Sequence, residues 1–164
     1  MSEPRASGAG ARVLGLISDT HGLVRSTVHE ALAGVELILH AGDVGDDVLD
    51  ELALIAPVLA VRGNTDPLND PQLPVELVRE VDGVTIHLSH GHETGSPTPD
   101  KLLARYPQDV IVYGHTHQQL ITRVGGRLVV NPGAAGARRF NLMPSVARLT
   151  IRRGAADVAL FELA

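Results

Sequence analysis

The 164-residue chain contains no cysteine and no tryptophan. Disulfide scaffolds, thiolate zinc sites, iron–sulfur clusters and cysteine nucleophiles are therefore excluded. Tyrosine and phenylalanine number two each, too few for the aromatic platforms that hold single-stranded nucleic acid. Positive charge is in the minority. The 14 Lys and Arg residues against 19 Asp and Glu leave a formal charge of −5. That balance argues against binding duplex nucleic acid or anionic membrane surfaces. No apolar run reaches the roughly 18 residues of a membrane-spanning helix. The opening MSEPRASGAGA has no apolar stretch of the kind a signal peptide needs. The expectation is a cytoplasmic protein, with residues 1–11 a flexible start and residues 12–164 one domain.

Hydrophobic residues make up 44% and charged residues 20%, the balance of an ordinary globular chain. Such a length buries enough surface to hold a core without disulfide or metal staples. Histidine is in excess: eight residues, about twice ordinary usage. Histidine without cysteine points to metal ligation by nitrogen and oxygen, or to proton transfer.

The first 62 residues repeat one rhythm. Apolar runs at 13–17, 35–39 and 58–61 alternate with helical periodicity at about 24–33 and 47–55. Strands alternating with short helices read as βαβ units around a parallel sheet. The second half changes character. Residues 64–74 are rich in proline and turn formers and read as a long loop. Hairpins are predicted at Asp82-Gly83, Gly125-Gly126 and Arg153-Gly154, with a helix at 99–106 and a strand at 110–113. The chain is expected to be an α/β protein, parallel-rich in its first half and antiparallel-rich in its second.

The chemistry-bearing residues fall just after the apolar runs. Asp19 and His21 follow the first. Asp43 follows the second and Asn64 and Asp66 the third. His90 and His92 follow the run ending at Leu88, and His115 and His117 follow Tyr113. In an open α/β sheet the carboxyl ends of the strands form the ligand crevice, so five segments aim Asp, Asn and His at one edge. The signals differ in weight. A shuffled chain of this composition holds roughly 0.04 copies of Gly-His-x-His and about 0.03 of Gly-Asn-x-Asp, whereas Asp-x-His and Gly-Asp arise readily by chance. In extended backbone, side chains at i and i+2 share a face. Asp19 with His21, and His115 with His117, would then each reach toward metals about 3.5–4 Å apart. Mixed imidazole and carboxylate donors suit Mn, Fe, Zn, Co or Ni better than Ca or Mg. A single His at a strand end is usually only a hydrogen-bonding residue, so it is the five clusters together that carry the metal reading. By the same standard His29 is expected on the surface and His87 in strand packing, while His40 is a candidate to support the ligands from behind.

These residues give the sequence a resemblance to the calcineurin-like metallophosphoesterases, and within them to the small YfcE-type phosphodiesterases. Asp19-x-His21, Gly42-Asp43, Gly63-Asn64-x-Asp66, His90-Gly91-His92 and Gly114-His115-x-His117 occur in that family's order, and Asn131-Pro132-Gly133 fits a further family loop. The likeness covers roughly residues 12–163. It implies a four-layer αββα sandwich with two divalent metal ions at the strand ends. By motif position, Asp19, His21 and His117 would hold the first ion, Asn64, His90 and His115 the second, and Asp43 both. Mn2+ is the expected metal, with Ni2+, Fe2+, Co2+ or Zn2+ as alternatives. A hydroxide between the ions would attack phosphorus in line. Asp43, Asn64 and His92 would then be catalytic, and His40 and Asp66 would buttress the ligands.

One departure stands out. Many family members carry His directly after the motif Asn, as an acid for the leaving group; here the residue is Thr65. Aryl esters should therefore react much faster than alkyl ones. His92 is the nearest remaining His, placed to donate a proton or bind phosphate. Arg62, Thr65 and Arg139, with Arg138 beside it, are the substrate-binding candidates. The expected function is hydrolysis of a small or nucleotide-like phosphodiester. The alternatives are a phosphomonoesterase or protein phosphatase, and a non-catalytic scaffold like the retromer subunit of this fold. A homo-oligomer remains open.

Overall fold

A computed structural model describes residues 10–138 and 141–163. Among the described residues ten strands form two five-stranded sheets, accompanied by three short α-helices and a 3-10 turn at His92–Thr94. In the first sheet, β1 (Ala11–Ile17), β2 (Leu37–His40) and β3 (Val58–Ala60) run parallel, as the opening rhythm predicts. The C-terminal hairpin, β9 (Ser145–Arg152) and β10 (Ala155–Glu162), joins the other edge of β1 antiparallel, giving the order β10-β9-β1-β2-β3. The second sheet has the order β4-β5-β6-β8-β7. Hairpins β4 (Glu76–Val81) with β5 (Val84–Ser89), and β7 (Leu120–Val124) with β8 (Arg127–Asn131), flank β6 (Val110–Val112). β6 lies parallel to both β5 and β8, so parallel pairing also occurs in the second half.

Alternation along the strands sets the layers. Leu14, Leu16 and Leu39 of the first sheet face Ile86, Leu88, Val110 and Val112 of the second across a fully buried core. Each such side chain contributes roughly 1.5–3 kcal/mol by leaving water. The outer face of the first sheet is covered by α1 (Ser26–Ala31) and α2 (Val48–Leu52), through Val28, Leu32 and Leu52 against Ile17 and Ile38. The outer face of the second is covered by α3 (Pro99–Arg105), through Leu102 and Tyr106 against Ile111 and Val129. The result is the four-layer αββα sandwich that the resemblance implied.

The helices are shorter than their periodicity suggests, for local reasons. Arg25 is still extended and Gly34 turns left-handed, which trims α1. Asp47 has φ 65°, so α2 starts only at Val48. α3 has proline in its first turn and a Thr98 side chain accepting from Lys101 N, the usual signals for a helix start. The hairpin turns follow prediction: Asp82-Gly83, Gly125-Gly126 and Arg153-Gly154 all have positive φ at both residues, as type I′ turns require. Among the described residues no helix is long and apolar enough to cross a membrane.

Candidate metal centre

The candidate ligands lie at one end of the sandwich because β1, β2, β3, β5 and β6 all terminate there. Past β1 and β2 the chain continues as two interlocked turns. Asp19 N donates to Gly42 O at 3.0 Å, His21 N to Asp43 O at 3.0 Å and Gly22 N to Val44 O at 2.9 Å. These turns correct the extended geometry expected from the i, i+2 spacing. Asp19, His21, Asp43, His115 and His117 have φ of 53°, 46°, 56°, 73° and 65°. Their side chains converge because each residue is left-handed, not because a pleat aligns them. That conformation costs a non-glycine residue roughly 1–2 kcal/mol, and such strain collects at functional sites. The glycines permit the crowding: a Cβ on Gly63 would fall on the Asp43 carboxylate, and one on Gly114 would meet Ser18 and Asp19.

Two groups of donor atoms form there, Asp19 with His21 and His117, and Asp19 with Asp43 and His90, each within 4.8 Å of one another. Asp19 Oδ1 lies 3.3 Å from His117 Nε2, 4.0 Å from His21 Nε2 and 3.8 Å from His90 Nε2. Asp43 Oδ2 lies 3.2 Å from His90 Nε2 and 3.7 Å from His21 Nε2. Asp19 thus touches both groups, where motif position had assigned it to one. Asn64 and His115 stand beside the second group, at its rim. His115 Nδ1 is 3.2 Å from Asn64 Oδ1, and the His115 ring is centred 5.1 Å from that of His90.

The donor set suits a cation. His90 Nδ1 is 2.7 Å from Ala41 O. A carbonyl only accepts, so Nδ1 carries a hydrogen and Nε2 faces two carboxylates, where the lone pair of the neutral ring would ligate a cation. Asp19 Oδ1 and His90 Nε2 are buried and have no hydrogen-bond partner among the described residues. Buried polar atoms left this way cost about 1–3 kcal/mol each, a penalty that a bound divalent ion would remove. The other oxygens are occupied. Ser18 Oγ donates to Asp19 Oδ2 at 2.6 Å, and Thr65 donates to Asp43 Oδ1 through N at 2.9 Å and Oγ1 at 2.8 Å.

Charge balance agrees. Burial pushes the Asp19 carboxyl up, but His117, His90 and the Ser18 hydroxyl outweigh it and hold it below the usual range. Asp43 is likewise held low, burial being overcome by His90 and the Thr65 donors. Burial pushes His90 down, yet Asp43 and Asp19 leave it raised. Both carboxylates are therefore ionised and face inward. His92 is half-buried, and burial followed by neighbouring His90 lowers it, as they do His115.

Asp66 and His40 lie behind the turns that carry the candidate donors. The buried Asp66 carboxylate accepts from Val44, Gly45 and Gly63 N and so ties the Asp43 turn to the Asn64 turn. Buried His40 accepts from Gly42 N at 3.1 Å and meets Thr20 Oγ1 at 2.9 Å. His29 pairs at the surface with Glu51, and His87 is buried against Tyr106. Arg62 Nη1 donates to Leu68 O. The Thr65 hydroxyl donates to Asp43 Oδ1 at 2.8 Å. Arg139 lies outside the described residues. Three contributors carried no role in the sequence reading: Ser18, Thr20, and Asn131, whose Nδ2 donates to Gly114 O and Thr116 Oγ1 and so braces the His115 turn. Asn131 was visible only as part of a family loop; for Ser18 and Thr20 adjacency to Asp19 was the sole signal. Beside His21 and Thr65 opens a cavity of about 780 Å3, with Asp46, Asp47, Asp50 and Asp70 in its wall.

Residues 13–154 match the calcineurin-like phosphoesterase superfamily domain. A probable metallophosphoesterase of Methanothermobacter thermautotrophicus is 36% identical over 149 residues, covering 84% of this chain and 80% of that protein. Phosphodiesterase MJ0936 of Methanocaldococcus jannaschii is 28% identical, covering 73% of this chain and 82% of that protein. The structure of vacuolar protein sorting 29 from Cryptosporidium parvum has the same fold, with a TM-score of 0.78 at 24% identity over 94% of this chain and 99% of that one. Strand order, motif order and this match over most of the length agree, and the chain belongs to the calcineurin-like phosphoesterase superfamily.

Proposed function

We propose that the protein is a phosphodiesterase that hydrolyses small phosphodiesters with two divalent ions, Mn2+ foremost. The observation that carries this reading is the pair of inward-facing carboxylates, Asp19 Oδ1 and Asp43 Oδ2, set among three imidazoles with Asp19 Oδ1 and His90 Nε2 buried and unpartnered. Asp19, His21 and His117 would hold one ion, His90, Asn64 and His115 the other, and Asp43 both. When bound, the ions supply charge neutralisation at the phosphoryl oxygens and acidify water to a nucleophile near neutral pH.

The chain's own residues do the rest. Thr65 fixes one Asp43 oxygen and leaves Oδ2 free, 3.2 Å from His90 Nε2 and 3.7 Å from His21 Nε2. Asn64, at the exposed rim with His115, is suited to orienting the ester. Burial, followed by neighbouring His90, lowers the pKa of His92, which favours the neutral ring. A neutral imidazole is a poor proton donor at pH 7 but a good hydrogen-bond donor, so His92 is assigned to a phosphoryl oxygen rather than to the leaving group. Arg62, whose charge reaches His92, adds positive potential on that side. The acidic wall of the cavity next to His21 repels polyphosphate groups, which favours a small ester over a nucleoside polyphosphate.

The test is a screen of purified protein reconstituted with Mn2+, Ni2+, Co2+ or Zn2+. Bis(p-nitrophenyl) phosphate and p-nitrophenyl phosphate would be compared at equal concentration. Preferential hydrolysis of the diester is expected. Preference for the monoester would replace this reading with a phosphomonoesterase. Inactivity on both with every metal would replace it with a scaffold, the role suggested by the retromer subunit of this fold.

A further inference from the structure

The His90-Gly91-His92 turn is tied to α3 by a single carboxylate. Glu93 Oε1 accepts from Gly91 N at 2.9 Å, and Glu93 Oε2 accepts from Tyr106 OH at 2.7 Å. Tyr106 closes α3, is buried, and stacks on His87 with ring centroids 3.6 Å apart at 21°. Arg105 Nη1 adds a bond to Glu93 O at 3.3 Å. On the turn itself, Thr94 Oγ1 donates to Gly91 O at 2.8 Å and Gly114 N donates to His90 O at 3.0 Å. Gly91 is left-handed, with φ 102°, and an added Cβ would press on Pro97 at 3.0 Å. The turn therefore cannot slide: α3 holds one side of it through Glu93, and the His115 turn holds the other.

We propose that Glu93 and Tyr106 are positioning residues, a carboxylate–phenol strut from α3 that fixes Gly91 and so aims His90 at the second metal and His92 at the phosphoryl group. The proposal rests on the metal-dependent reading above. Neither residue touches the candidate donor groups, and neither carries a family motif. The strut acts on the His90 side, because Asp19 and His21 are braced separately by Ser18 and the Gly42–Val44 turn. Its loss should weaken one of two metals and leave the other.

Tyr106→Phe keeps the ring on His87 and deletes only the hydroxyl; Glu93→Ala removes both acceptor oxygens and breaks the same link from the other end. In the metal-free protein, hydrogen exchange at the Gly91 amide should rise about tenfold in either variant, the effect of losing one hydrogen bond. In Mn2+ titrations by calorimetry, the weaker of two binding events should lose about tenfold in affinity and the tighter should not move. Hydrolysis of bis(p-nitrophenyl) phosphate should fall in kcat, with partial recovery at high Mn2+. Faster Gly91 exchange with both affinities unchanged would reduce the strut to a fold element and overturn the proposal, as would unchanged exchange. Equal weakening of both metals would also overturn it. A wild-type protein that binds no Mn2+ would remove the metal reading and this proposal together, and is recognised before any variant is compared.

Discussion

Asp66 touches neither donor group, yet it holds the turns that carry Asp43 and Asn64. Its Oδ1 accepts from Val44 N at 3.0 Å and Gly45 N at 3.3 Å, and its Oδ2 from Gly63 N at 2.9 Å and Val44 N at 3.1 Å. Asp66→Asn offers one oxygen in place of two. If that oxygen keeps Val44 and Gly45, the new amide faces Gly63 N–H donor to donor. The unpaired amide costs about 1–3 kcal/mol, and making the surviving bonds neutral costs about 1 kcal/mol more. A loss of about 3 kcal/mol moves a urea midpoint by roughly 1.5 M at a slope of about 2 kcal/mol/M. Mn2+ affinity should fall about 10–100-fold, because the displaced turns present the donors. Equilibrium urea unfolding and calorimetric Mn2+ titration check both numbers. Asp50→Asn, at an exposed carboxylate in the same cavity wall, should change stability by no more than about 0.5 kcal/mol. An Asp66→Asn protein with the wild-type midpoint and Mn2+ affinity would refute the reasoning.

Other perturbations have defined outcomes. His40 is fully buried and its pKa is lowered, by burial first, from 6.5 to about 4. The unfolded chain thus takes up the proton first, and the His40 contribution is complete above about pH 6.5 and lost toward pH 4, about 3 kcal/mol in all. Urea midpoints of metal-free His40→Gln should lack that part of the acid loss shown by wild type; parallel pH profiles would contradict it. Thr65→Val removes the hydroxyl from Asp43 Oδ1 but keeps the backbone bond, so stability should fall by about 1 kcal/mol, read from a thermal melt. With no acid after Asn64, p-nitrophenyl esters should be cleaved at least about 100-fold faster than alkyl esters of the same phosphate, and equal rates would reveal an acid elsewhere.

The parts legible in the sequence are those written locally. Strand runs, the Asp82-Gly83 and Arg153-Gly154 turns and the position of each Asp, Asn and His after a strand all follow from residue type and spacing. Two kinds of feature were not local. The docking of β9 on β1 pairs Ala11 with Arg152 across almost the whole chain, and no short window encodes that choice. The left-handed backbone of Asp19, His21, His115 and His117 is imposed by tertiary hydrogen bonds, such as Asp19 N to Gly42 O. Residue type and spacing therefore point to candidate donors but not to how they converge. Thr65 illustrates the same limit: its missing imidazole was visible, but its grip on the Asp43 carboxylate was not.

The proposed hydrolytic centre requires Asp43 to serve both metal ions. Metal content per chain, measured on wild type and Asp43→Asn after Mn2+ loading and desalting, tests it directly when paired with bis(p-nitrophenyl) phosphate turnover. Two ions and turnover are expected in wild type, and at most one ion with turnover reduced at least about 100-fold in the variant. Equal metal content and equal turnover in the two proteins would contradict it.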